Sequence, residues 1–223
     1  VKTFGRGLAV FALLLKFFVV CSSSSRGIII ICAGDSITEA EYPRHLRRLL
    51  NQEGYRVQVH NYGRKGNNSR EYLAFLRKAE KELARLRPDF ILLQLGTNDV
   101  RADSDFTSAS EFDRTMRQIV AIFEGMSNRQ GKKPSILLAT IPPLPENPSP
   151  PFVPESAARV MEEINPIIRR IAADRGLKLV DNYSLFVENP HLLPDIHPTS
   201  EGYMLLARNW HDHLKPFLSQ KRG

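Results

Sequence analysis

Ile28-Ile-Ile-Ile-Cys-Ala33 followed by Gly34-Asp-Ser-Ile-Thr38 is the stretch that decides the fold. An unbroken apolar run of this length, rich in β-branched side chains, reads as a parallel strand buried on both faces. Asp-Ser-x-Thr ahead of a polar-apolar periodic stretch reads as a helix start. Ser36 therefore falls at the carboxyl edge of a strand, where open α/β sheets place their ligands. It also lies beside a helix N-terminus, whose free N–H groups and partial positive charge favour a developing anion. Taken alone, Ser36 or Thr38 reads equally well as a helix cap.

Downstream, the same alternation repeats. Apolar runs predict strands over 28–33, 56–61, 90–95, 136–140 and 177–180, with helices over 43–53, 70–87, 111–126, 154–174 and 200–218. Pro88 and Gly176 punctuate two helix ends, and His197 to Ser200 precede the last helix. Alternating βαβα with strands too apolar to be half-exposed implies a parallel sheet covered on both faces. Right-handed crossovers then give a flavodoxin-like three-layer α/β/α sandwich, with residues 27–223 as one domain. The connection 141–153 holds Pro142, Pro143, Pro145, Pro148, Pro150 and Pro151, and reads as a stiff wall over the same edge as Ser36.

The first 26 residues differ from the rest. Lys2 and Arg6 precede Leu8–Leu15, Lys16 interrupts, and Phe17–Cys21 runs into Ser22–Ser25. A basic start, a short apolar core and a small-polar exit read as a secretory signal, not as a membrane span. Cys21 before four serines resembles a bacterial lipoprotein processing site, which implies a lipid anchor on Cys21 and a Ser-rich tether. Val20 departs from that pattern, which has Gly, Ala or Ser there. The expected location is the cell envelope or the medium. The formal charge of +7 falls to +4 without residues 1–21, since Lys2, Arg6 and Lys16 leave and no acid does. No block of like charge remains, and Arg44, Arg47 and Arg48 fit the wet face of a helix, so nucleic acid is disfavoured as a partner. Two cysteines make no disulfide framework, and Cys32 reads as a small core hydrophobe.

Three further segments end at the carboxyl edge: Asn61-Tyr-Gly-Arg-Lys-Gly-Asn-Asn-Ser69, Gly96-Thr-Asn-Asp99 and Asp195-Ile-His-Pro198. With Gly34-Asp-Ser, these four in this order resemble the four blocks of the SGNH (GDSL-type) hydrolases, a family of serine esterases. The resemblance runs from about Ile28 to Tyr203. It implies Ser36 as nucleophile and His197 as general base. It also implies an oxyanion hole built from the Ser36 N–H, the Gly66 N–H and the Asn98 side-chain amide, with Gly63 structural. The chemistry needs such groups, because a serine hydroxyl attacks only when a base takes its proton. Each well-placed donor to the resulting oxyanion is worth about 2.7–4 kcal/mol of barrier.

The family spaces its acid and base as Asp-x-x-His. Here Pro194 stands three before His197 and Asp195 stands two before. In an extended backbone, residues two apart share a side, so Asp195 is the expected acid. His191 is a rival base without the following Pro and helix. His211 and His213 sit two apart on a helix and face different ways, a poor metal pair. No cofactor is implied. The expected function is hydrolysis of a small carboxylic ester, such as O-acetyl on a carbohydrate, with lysophospholipid and thioester cleavage as further candidates. The alternative is a catalytically impaired module of the same fold that binds a glycan or wall polymer. A nucleotide-binding domain is disfavoured, because the first strand lacks a Gly-x-Gly-x-x-Gly turn.

Overall fold

The computed structural model describes residues 27–219. The leader, the Ser-rich tether and Cys21 lie outside the described residues. Five strands form one parallel sheet in the order β2-β1-β3-β4-β5: β1 Ile28–Gly34, β2 Val57–Gly63, β3 Phe90–Gln94, β4 Ser135–Ala139 and β5 Lys178–Val180. The helices are α1 Ser36–Glu39, α2 Tyr42–Gln52, α3 Ser69–Leu86, α4 Ala109–Glu124, α5 Pro154–Arg159, α6 Asn165–Arg175, α7 Asn182–Val187 and α8 Ser200–Ser219. This is the expected flavodoxin-like sandwich.

Period-two alternation splits the central strands between two cores. Ile31, Ala33, Ile91, Leu93 and Leu138 face Tyr72, Leu76, Phe112, Met116, Ile119 and Ile168 of α3, α4 and α6. Ile30, Cys32, Leu92, Leu137 and Ala139 face Leu46, Leu50, Leu206, Trp210 and Leu214 of α2 and α8. Burial of both faces is why β1 and β3 are apolar at nearly every position. The edge strands correct the expectation that no strand is half-exposed. β2 leaves Gln58 and Asn61 in solvent, and β5 exposes Lys178, because each has a neighbour on one side only.

The helix expected over 154–174 is interrupted. Pro166 has no N–H and its ring crowds the carbonyl four residues back. Ahead of it the chain widens into a single π turn, Val160–Ile164, with the Asn165 N–H donating to Val160 O, five residues back. α3 starts with a reciprocal cap: the Asn68 side chain accepts from the Glu71 N–H at 3.0 Å, and Glu71 accepts from the Asn68 N–H at 3.1 Å. It ends at Arg87 in the left-handed region, just before Pro88. The short pieces α1, α7 and two 3-10 turns, Thr97–Val100 and Pro190–Leu192, carry too few turns to show a period. Among the described residues no helix is long and apolar enough to cross a membrane.

The carboxyl end of β1 is crowded. A Cβ on Gly34 would lie 2.0 Å from Gln94 O and 2.4 Å from Thr38 Oγ1, and one on Gly63 would lie 2.1 Å from Glu39 N. Both contacts are with groups that cannot swing aside. Gly34→Ala is expected to lower unfolding stability by about 3 kcal/mol in urea denaturation, through overpacking. An unchanged midpoint would show that β1 and β3 separate at no cost.

Candidate active site

The site is assembled at the carboxyl edge of β1, β2 and β3. Asp35, not Ser36, caps α1: its Oδ1 accepts from the Ile37 N–H at 3.0 Å. The capping reading of Ser36 is thereby replaced. Its hydroxyl, half-buried, instead meets His197, with Oγ and Nε2 2.8 Å apart across 161 residues of chain. His197 reaches that position because the preceding loop is fastened to α8. The Thr199 N–H donates to Leu192 O at 2.9 Å, and the Gly202 N–H donates to Thr199 Oγ1 at 3.1 Å. Gly202 is needed there, since a Cβ would sit 2.5 Å from Leu192 O.

The loop after β2 is held against β1 by the Arg64 N–H, which donates to Gly34 O at 2.8 Å. A turn then closes from the Asn67 N–H to Arg64 O at 3.1 Å, with Gly66 at its third position and φ of +80°. That position demands a left-handed residue, which glycine supplies without strain. Space around Gly66 is open: an added Cβ would meet nothing within 4 Å. Among the described residues, neither the Gly66 N–H nor the Ser36 N–H has a protein acceptor. Asn98, on the 3-10 turn after β3, donates one amide N–H to Asn67 O at 3.0 Å. That bond seats the amide beside the Gly66 turn and leaves its second N–H to point elsewhere. Gly63 packs against α1, its N–H donates to Asn61 Oδ1 at 2.9 Å and its carbonyl accepts from Arg64 Nη1 at 2.8 Å.

Four residues to which the sequence assigned no role, Ser69, Asp99, Ser156 and Arg159, hold this arrangement. Asp99 accepts from the Ser69 N–H at 3.0 Å and from Ser69 Oγ at 2.6 Å, tying the Asn98 turn to the start of α3. From the other side, Ser156 Oγ donates to Val100 O at 2.6 Å, and Arg159 Nη1 donates to Asp99 O at 3.1 Å. Arg159 also donates to Thr107 O at 2.7 Å and lies 4.3 Å from the Phe106 ring centroid. These ties run mostly to main-chain carbonyls, which every residue has, so no sequence pattern marks them. The proline-rich connection is anchored at both ends. Ile141 exchanges two hydrogen bonds with the Asn165 side chain, and Pro151 O accepts from the Ala102 N–H at 2.9 Å.

Electrostatically, the site is dry underneath and wet above. Burial pushes both the Asp35 and Asp99 carboxyls up to about 6, although donors from Ile37 and Ser69 respectively oppose the shift. Burial lowers the His197 imidazole below its ordinary value, Asp195 opposes that, and Lys65 adds to it. The segment carrying Asp195 is bent, not the extended backbone expected for two residues on a shared side. Asp195 is exposed, and among the described residues it makes no hydrogen bond to His197. Its influence on the ring is one of charge. His191 is exposed on the 190–192 turn, and His211 pairs with Glu53 at 3.1 Å. Cys32 is fully buried with its thiol pushed up to about 12, an inert core group.

The model of the GDSL-like lipase/acylhydrolase family matches residues 32–205. An acetylxylan esterase of Xylanibacter ruminicola is 27% identical over 210 residues, 81% of this chain and 42% of that protein. A multidomain esterase of Ruminococcus flavefaciens is 22% identical, over 91% of this chain and 30% of its own length. The chain thus spans less than half the length of these curated relatives. Among solved structures, a lipase/acylhydrolase from Enterococcus faecalis superposes with a TM-score of 0.70 at 21% identity, covering 85% of this chain and 96% of the other. Axe2, an acetylxylan esterase from Geobacillus stearothermophilus, gives 0.67 at 22% identity, covering 84% and 94%. These structures share the three-layer fold. The span of the family match, on top of the shared fold and block order, shows that the chain belongs to the GDSL-like lipase/acylhydrolase family.

Proposed function

We propose that the protein hydrolyses a carboxylic ester through an acyl-enzyme on Ser36. The observation that carries this is the 2.8 Å contact between Ser36 Oγ and His197 Nε2. With the ring neutral and its proton on Nδ1, Nε2 accepts the hydroxyl proton as Oγ attacks the ester carbon. The carbonyl oxygen becomes an anion facing the Ser36 N–H, the Gly66 N–H and the free N–H of Asn98. As the C–O bond breaks, the His197 proton passes to the departing alcohol. Water then gives a proton to His197 and attacks the acyl carbon; the acyl–Oγ bond breaks, His197 returns that proton to Oγ, and the acid leaves with Ser36 restored. Neutral donors are needed at the anion, and an aspartate at position 98 would repel it.

Asp195 supports this cycle by charge alone, as an exposed carboxylate that favours the imidazolium in the transition state. The favoured substrate is an O-acetyl group on a carbohydrate, by likeness to the acetylxylan esterases among the relatives. The absence of an acid bonded to Nδ1 is the one observation favouring the rival reading, a glycan-binding module with an impaired site. The intact Ser36–His197 bond outweighs it. Export under the direction of residues 1–26 belongs to the same proposal.

Hydrolysis of p-nitrophenyl acetate and of acetylated xylo-oligosaccharides by the wild type and Ser36→Ala tests the reading. A loss of about 10⁴ in kcat or more is expected, and equal rates would remove Ser36 from the mechanism. His197 works as a base only when neutral, and its pKa is depressed. The wild-type kcat/KM should therefore rise with pH to a plateau, with its midpoint below the ordinary histidine value. An acid hydrogen-bonded to the ring is worth about 10⁴ in rate in other triads. Asp195→Asn is instead expected to reduce the plateau by less than about 10-fold and to move the midpoint to lower pH. A loss near 10⁴ would place Asp195 on the ring in the working enzyme.

A further inference from the structure

We propose that the edge of the sheet opposite Ser36 docks on the anionic headgroups of a lipid membrane. This edge gathers the amino ends of the strands and the carboxyl ends of the long helices. Six exposed cations line it: Arg56 before β2, Arg87 after α3, Arg129, Lys132 and Lys133 before β4, and Lys178 opening β5. None of the six is in an ion pair among the described residues. Two neighbouring cations on this edge are paired, Arg175 with Glu124 at 3.0 Å and Lys215 with Glu53 at 3.3 Å.

The concentration is not a by-product of a basic domain. Of the 31 lysines and arginines in the chain, six lie outside residues 27–219, whereas all 24 acids lie within them. The described part is thus close to neutral, and the six unpaired cations stand out against it. Exposed acids Glu39, Glu146 and Asp195 stand on the edge that bears Ser36. Lys65 stands there with them, so the six-cation edge is the end drawn most strongly to an anionic plane, which turns the site outward.

A membrane is the occupant favoured over a soluble polyanion because of where the chain joins the domain. Gly27 enters β1 at this edge, where Arg129 Nη1 reaches Gly27 O at 3.5 Å. Cys21, whose setting resembles a lipid-anchor site, and Arg26 therefore join the domain beside the six cations. α8 ends here as well. Its Phe217 packs edge-on against Phe90, 6.3 Å between centroids, and helps line a cleft of about 620 Å³ with Lys133 and Lys178. The chain that follows α8 carries Lys221 and Arg222.

The test is binding of the full chain to vesicles of phosphatidylglycerol and phosphatidylcholine, with pure phosphatidylcholine vesicles as the reference. Tighter binding to the anionic vesicles, by about 10-fold or more and falling with added salt, is expected. The variant K132E/K133E/K178E should lose that preference at an unchanged Tm, and the neutral Lys178→Gln should weaken it by about 5-fold. Reversal of Arg44, Arg47 and Arg48 on the exposed face of α2 should leave it intact. Equal binding to both vesicle types would overturn the proposal. So would loss of the preference in the α2 variant, its survival in the triple variant, or retention by polygalacturonate but not by vesicles.

Discussion

Everything at the site depends on how closely the backbone packs where β1 ends. Gly34 lets β1 lie against Gln94 of β3, and Gly63 lets β2 lie against α1, with no room for a side chain at either place. The turn that follows is therefore fixed on three sides before any functional group is considered. Asp35 takes up the Ile37 N–H of α1, which releases the Ser36 hydroxyl from capping. The 2.8 Å contact to His197 then requires only that α8 begin at the same edge, which right-handed crossovers and the final position of α8 ensure. A bond between residues 161 apart in sequence is thus a consequence of local crowding and sheet topology together.

The second constraint is the burial of charge beneath the site. Asp35 and Asp99 lie under the reacting edge, both shifted toward the neutral acid. Each is kept there for its acceptors: Asp35 holds the Ser36 turn, and Asp99 clamps Ser69. With folded values above the unfolded ones, these two groups add stability at low pH and lose it as pH rises through about 6. The gain is geometric, since Asn98 is carried by the segment that Asp99, Ser156 and Arg159 fix from two directions. Above them His197 is half-buried, with Lys65 and Asp195 acting on it in opposite senses from solvent. The imidazole is lowered chiefly by its burial, while the charges of Asp195 and Lys65 oppose each other.

Much of this was legible in the residues. Ile28–Ala33 announced an interior strand because burial on both faces leaves no polar position, and the helices of the two outer layers showed their periods. The grouping of Ser36, Gly66, Asn98 and His197 was visible because each follows or precedes a recognisable element at one edge. The π turn was not, since the helical pattern continues across it and only Pro166 hints at the strain. The edge strands were misjudged, because apolarity was assigned by run and not by place in the sheet. The holding roles of Ser69, Asp99, Ser156 and Arg159 were silent for a different reason: their partners are largely backbone atoms brought close by the fold. The short Asp195–His197 spacing did signal trouble, and the bent backbone between them supplies its physical form.

Under the proposed function, Ser36 is a nucleophile activated by His197. The most direct measurement is mass-spectrometric mapping of the folded protein after reaction with an activated organophosphonate. A single adduct on Ser36, formed faster as pH rises through the depressed His197 value and abolished in His197→Ala, is the predicted result. An adduct on another residue, or modification of Ser36 at the same rate without His197, would contradict it.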